Sequence, residues 1–210
     1  MSTNFSPTKK NIRQSIKKDL QNFSKEKRYS LSDRIRKRFF ILLEKWFPKS
    51  SLSSLKIMSY VSLESEVDTV AIIKKIIKMN RVIWIPRCNG DKIESVKISS
   101  LEGLQPGRFG IHEPGQEFSV FKRTEELDMV IVPGLGFDRF CNRLGRGKGY
   151  FDRFLSSLGN HPVTIGLAFD IQIVDFIPCN DNDRSLDFVL TETSLYSSGN
   201  KPLPFSLPLP

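Results

Sequence analysis

The run Arg143-Leu144-Gly145-Arg146-Gly147-Lys148-Gly149-Tyr150-Phe151-Asp152 concentrates the residue types that handle phosphate. Glycines let backbone N–H groups approach an anion, and Arg143, Arg146 and Lys148 add full positive charge. The segment leaves the apolar residues 129–132 and enters residues 150–158, where apolar side chains recur at helical spacing. A strand that empties through such a loop into a helix N-terminus is a geometry that seats phosphate. Asp152 falls in the first helical turn, where the dipole favours a carboxylate and a magnesium ion could be held. Charge of both signs at one phosphate seat points to metal-assisted nucleotide chemistry. The plain alternative is a surface turn with solvated cations; three alternating glycines directly after an apolar strand favour function.

Two familiar phosphate templates fail here. A Walker A loop would need glycine where Asn142 stands, and Ser or Thr where Gly149 follows Lys148. A dinucleotide fingerprint would need a third glycine at Tyr150.

The elements that must position this loop follow from periodicity. Residues 7–23 and 30–47 read as amphipathic helices, the second stopped by Pro48 and a serine-rich turn. Residues 57–61 read as a strand, and 67–79 as a helix with a stripe of Val67, Val70, Ile73, Ile76 and Ile77. A short buried strand spans 82–85 and ends at Pro86, 93–98 alternates as a weaker strand, and 101–116 is loop-rich. Strand 129–132, the glycine loop, helix 150–158 and strands 163–168 and 187–191 complete the order. This alternation predicts an α/β fold, a mostly parallel sheet with helices on both faces, binding its ligand at the carboxyl ends of the strands.

With 210 residues, 39% hydrophobic and 26% charged, the chain suits one soluble domain over 1–196. The proline-punctuated residues 197–210 are expected to form an extended or disordered tail. No apolar run is long enough for a membrane span, and no apolar segment backs the N-terminal charges as in a secretion signal. Three scattered cysteines, Cys88, Cys141 and Cys179, suit a reducing cytoplasm, and His112 and His161 lack nearby partners for zinc. Of the net charge of +9, residues 1–50 hold +10, from 14 Lys and Arg against 4 Asp and Glu. Interleaving with Ile12, Ile16, Leu20, Ile35 and Phe39 makes these cations the solvated faces of helices that also draw in anionic substrates.

The motif Val132-Pro-Gly-Leu-Gly-Phe-Asp138 with Asn142–Asp152 resembles the 5-formyltetrahydrofolate cyclo-ligase family. The likeness takes in Lys9-Lys10-Asn11-Ile12-Arg13, Ser65–Thr69, Ile85-Pro86-Arg87, Gly110–Pro114 and Asn180–Asp183, so it spans about residues 8 to 192. The resemblance implies a Rossmann-like layered fold of the sugar-phosphate isomerase type. It also implies ATP- and Mg²⁺-dependent closure of 5-formyltetrahydrofolate to 5,10-methenyltetrahydrofolate, through a phosphorylated formyl group, with release of ADP and phosphate.

By the same resemblance, ATP is expected at Lys9, Lys10, Asn11, Ile12 and Arg13, and along Arg143, Leu144, Gly145, Arg146, Gly147, Lys148, Gly149, Tyr150 and Phe151. Arg146, Lys148 and Tyr150 are the expected catalytic residues. Folate is expected at Val61, Glu66 and Phe109 and along Arg146, Gly147, Lys148, Gly149 and Tyr150. The metal ligands implied are Asp152 and Asp183. Each has a local alternative: Asp152 as a carboxylate suited to its helix start, Asp183 as a turn residue in Asn180–Asp183, and Glu66 as the cap of the helix beginning near Val67. A cytoplasmic monomer acting on small molecules, without nucleic-acid or membrane partners, is the expectation. A basic nucleic-acid-binding protein and a sugar-phosphate isomerase are the competing classes; the missing aromatic signatures of RNA-binding sheets argue against the first, and Asp152 beside a triply cationic loop against the second. Lys148→Ala and Asp152→Ala are each expected to remove most turnover with the fold intact.

Overall fold

A computed structural model describes residues 8–47, 54–107, 110–121, 123–158 and 162–203. The chain opens with helices α1 (Lys9–Gln21) and α2 (Lys25–Trp46), capped by Thr8 accepting from Asn11 N and Ser24 accepting from Lys27 N. Helix α2 starts five residues before the position expected from apolar spacing. The polar turn Lys25–Arg28 adds no apolar signal, yet Ser24 satisfies its free N–H groups. Strand β1 (Ile57–Ser59) leads to α3 (Thr69–Lys78), whose cap is Asp68, accepting from Ala71 N at 3.0 Å. Glu66 is therefore not the cap.

Strands β2 (Ile83–Asn89) and β3 (Lys92–Ile98) form an antiparallel hairpin. The sequence placed the end of β2 at Pro86, but the strand runs through it. Pairing with β1 stops at Trp84, so the proline stands where its first neighbour no longer runs alongside. Residues 101–116 hold a small hairpin, β4 (Leu104–Pro106) with β5 (His112–Pro114), followed by β6 (Val120–Phe121). Strand β7 (Met129–Val132) has the expected bounds. The glycine segment, expected to be plain loop, contains a third hairpin, β8 (Gly136–Asp138) with β9 (Arg143–Leu144), before α4 (Tyr150–Ser157). Strands β10 (Val163–Leu167), β11 (Ile173–Val174), β12 (Phe188–Leu190) and β13 (Leu195–Ser197) close the order.

The main sheet has the order β13-β12-β10-β7-β1-β2-β3-β6, parallel from β12 to β2 and antiparallel at both edges. Strict alternation splits its side chains between two layers. Ile57, Met129, Ile131, Ile165 and Phe188 pack under α1, α2 and α3, while Met58, Val130, Val132 and Val189 pack under α4 through Phe154, Leu155 and Leu158. All four residues of β7 are fully buried, as a central parallel strand covered on both faces must be.

Ser197 pairs within β13, Ser198 N–H reaches Asp187 O at 3.0 Å, and Lys201 Nζ donates to Pro162 O at 2.6 Å. Residues 204–210 of the expected tail lie outside the described residues. Among the described residues no helix is long and apolar enough to cross a membrane.

Candidate active site

Adjacent strands β1 and β7 deliver their carboxyl ends to one cleft of about 890 Å³. After β1 come Tyr60, Val61 and Glu66; after β7 come Pro133, Gly134 and the glycine loop. Asp138 explains why the loop holds its shape. Fully buried, it accepts from Phe140 N, Asn142 N, Asn142 Nδ2 and Ile177 N at 2.9–3.1 Å, fixing the turn between β8 and β9. Within that turn Cys141 takes φ +63, and burial first, then the Asp138 charge, push its thiol up to about 12. It is a structural thiol, not a nucleophile.

Arg143 has a side chain only 4% exposed and spans the loop from within. Its guanidinium donates to Asp152 Oδ1 at 2.5 Å and to Pro133 O at 3.4 Å, tying the loop's entrance to the first turn of α4. Gly147 and Gly149 have φ +103 and +67, and Gly149 is the N-cap of α4, so the tip of the loop needs a backbone that L side chains resist.

Three long-range contacts assemble the cleft. Lys9 Nζ meets Asp183 Oδ2 at 2.5 Å, Arg13 Nε donates to Gly145 O at 2.9 Å, and Arg146 Nη2 donates to Glu66 Oε1 at 2.7 Å. The other Glu66 oxygen accepts from Leu63 N at 2.9 Å. Burial, the largest influence, pushes the Asp183 carboxyl up, but hydrogen bonds from Lys9 and the Asn180 amide, with the charges of Lys9 and Arg143, hold it below its ordinary value.

A cleft with a cationic glycine loop on one wall and a carboxylate pocket on the other is matched by the family comparison. The 5-formyltetrahydrofolate cyclo-ligase family model covers residues 5–192. The chain belongs to that family. It is 35% identical to the mouse 5-formyltetrahydrofolate cyclo-ligase over 199 residues, covering 89% of this chain and 94% of the relative. It is 32% identical over 196 residues to a probable 5-formyltetrahydrofolate cyclo-ligase of Caenorhabditis elegans, covering 88% and 92%. The NMR structure of Aquifex aeolicus 5,10-methenyltetrahydrofolate synthetase aligns with a TM-score of 0.76 at 28% identity, covering 95% of this chain and 96% of that one.

Of the N-terminal residues, this cyclo-ligase turns Lys9 and Arg13, one helical turn apart, into the cleft. Lys10 and Asn11 lie exposed on another face, and Ile12 packs in the core. Val61, Glu66 and every residue from Arg143 to Asp152 line the cleft, as does Asp183. Tyr150 donates its hydroxyl to Gly90 O at 3.3 Å, with Arg153 over its ring at 5.2 Å. Lys148 is exposed and its amine makes no hydrogen bond or ion pair among the described residues. Phe109 lies outside the described residues; Ile111 and Glu113 line the cleft, and Glu113 Oε2 accepts from Cys88 N at 3.1 Å.

Among the described residues Asp152 Oδ2 and Asp183 Oδ1 make no hydrogen bond, while the partner oxygen of each carboxylate is held by a cation. Two carboxylate oxygens without a partner cation, beside a cationic glycine loop, are a donor set that suits Mg²⁺, which takes one or two carboxylates together with the phosphates of a ligand. Among the described residues no group of three or more His, Cys, Asp and Glu is placed to hold a metal ion by itself.

Sequence reasoning missed Tyr60 and Glu113 in the cleft wall and the supporting role of Asp138. Asp138 and Asn142, both turn-forming residue types, stood in the sequence motif without a supporting role assigned to them. Glu113 stood in the segment Gly110–Pro114 without a role assigned to it, and nothing local marked Tyr60.

Proposed function

We propose that this cyclo-ligase uses ATP and Mg²⁺ to convert 5-formyltetrahydrofolate into 5,10-methenyltetrahydrofolate, releasing ADP and phosphate. The observation that carries this reading is the Arg146–Glu66 pair, which joins the phosphate wall to the carboxylate pocket across the cleft. The two substrates would thus lie within one side chain's reach of each other.

A formyl amide is a poor electrophile because nitrogen donates into its carbonyl. Transfer of the terminal phosphoryl group to the formyl oxygen breaks the β,γ-phosphoanhydride and converts that oxygen into a leaving group. The second folate nitrogen, N10, then attacks the imidoyl carbon and loses its proton, the C–O bond breaks, and phosphate departs. Such transfer depends on positioning and charge neutralisation. Arg146 and Lys148 would follow the moving phosphoryl charge, and Tyr150 would close the loop against the substrates. Glu66 would accept the pterin amino and ring N–H groups in exchange for Arg146, so that folate binding frees Arg146 for phosphate. Asp152 and Asp183 would hold Mg²⁺, which supplies neutralisation of phosphate charge.

The test mixes the purified chain with 5-formyltetrahydrofolate, ATP and Mg²⁺ and follows the absorbance of the methenyl product. Product formation should stop when ATP is omitted or EDTA is added. Equal rates with and without nucleotide, or no product at all, would end this reading.

A further inference from the structure

Tyr60 follows the last residue of β1 and is 5% exposed, yet it lines the cleft. Its carbonyl is spoken for, accepting Thr69 Oγ1 at 2.7 Å and Ser59 Oγ at 3.1 Å, which fixes the backbone at this point. Among the described residues its hydroxyl makes no hydrogen bond. Four side-chain atoms among the described residues are both sealed from solvent and unpartnered, namely Arg28 Nε, Trp84 Nε1, Arg143 Nε and Asp170 Oδ1. The Tyr60 oxygen is not among them, so it is not fully sealed, and the cleft is the space that Tyr60 lines.

The surroundings suit a donor. Burial, then the charge of Glu66, raise the phenol well above its ordinary value, against an opposing effect of Arg146. The O–H therefore stays protonated at neutral pH. Glu66 itself is 9% exposed at the side chain and offers acceptors only. A pterin presents an amino group, a ring N–H and a carbonyl in sequence along one edge. A carboxylate satisfies the two donors but leaves the carbonyl without a donor of its own.

We propose that the Tyr60 hydroxyl supplies that donor, binding the pterin carbonyl beside the edge taken by Glu66 and acting as a folate-selecting residue. The proposal rests on the cyclo-ligase reading. A mostly buried hydroxyl without a protein partner costs stability, and a ligand group that matches it recovers the loss.

Tyr60→Phe removes one oxygen and keeps the ring. The expected result is a rise in the folate KM of about threefold to tenfold, the worth of one neutral hydrogen bond. The KM for ATP should stay put, kcat should fall less than KM rises, and the melting temperature should hold or increase. Tyr60→Leu should lose melting temperature as well, because the ring is part of the core. An unchanged folate KM in Tyr60→Phe overturns the proposal, as does a parallel rise in both KM values. So does a Tyr60→Phe enzyme identical to wild type beside a failing Tyr60→Leu, which would credit the ring alone. A wild-type chain without any nucleotide-dependent product removes the cyclo-ligase reading itself, and this inference with it.

Discussion

Asp152→Ala does more than remove a proposed metal ligand. The Arg143 side chain is 4% exposed, and its Nε already lacks a partner. Asp152 is its counter-ion at 2.5 Å; without it, a sealed guanidinium keeps only the long 3.4 Å bond to Pro133 O. Removing one partner of a buried ion pair costs about 3–5 kcal/mol. Asp152 is 21% exposed, so water reaches its side of the pair and the lower end of that range, about 3 kcal/mol, is appropriate. For a chain of 210 residues, at about 2–4 °C per kcal/mol, the melting temperature should fall by roughly 6–12 °C. To the expectation, drawn from sequence, that the fold stays intact, the Arg143–Asp152 pair adds a loss of stability. Scanning calorimetry reads the shift, and Arg143→Met combined with Asp152→Ala should recover most of it by removing the stranded charge. Turnover should stay lost in the double variant, because the carboxylate is not restored. Melting of Asp152→Ala within about 2 °C of wild type would refute the argument that Arg143 depends on this partner.

Lys148→Ala is the cleaner probe of the chemistry. Its amine is exposed and unpaired, so stability should move by less than about 0.5 kcal/mol, while turnover falls about 100-fold or more. Asp138→Ala strands four donors in a sealed turn and should destabilise the fold by about 3 kcal/mol or more, with ATP affinity lost in any folded fraction, as read by urea titration and nucleotide binding. The depressed Asp183 carboxyl contributes stability that is present above its unfolded pKa and lost as pH falls through its lower folded value, so the loss lies below the ordinary 3.8. Lys9→Met should flatten that acid limb of the stability curve; an unaltered limb would show that Lys9 is not what lowers the carboxyl.

Elements with a local signature were readable. Strand β7 is four consecutive apolar residues, and α4 carries its acidic residue in the first turn where the dipole favours it. Boundaries moved wherever pairing or capping overrode apolar spacing. Pro86 does not end β2 because pairing with β1 has already stopped, and Asp68 rather than Glu66 caps α3 because its carboxylate reaches Ala71 N. The N-terminal cations, expected as solvated faces, are in part used as staples. Arg28 Nη1 donates to Glu64 O at 3.1 Å and Arg38 Nη1 to Thr191 O at 2.5 Å, beside the contacts of Lys9 and Arg13.

The linear order of residues determined that a cation-rich glycine segment would leave a buried strand and enter a helix, because backbone freedom, charge and periodicity are local properties. Tertiary structure decided which charges remain available for ligands. Arg143, Arg146 and Lys148 look alike in a row of six residues, yet one is sealed against Asp152, one reaches Glu66 across 80 positions, and one is left in solvent. Partners so distant meet only when the parallel sheet sets β1 beside β7, and an ion pair forms where folding brings charges together.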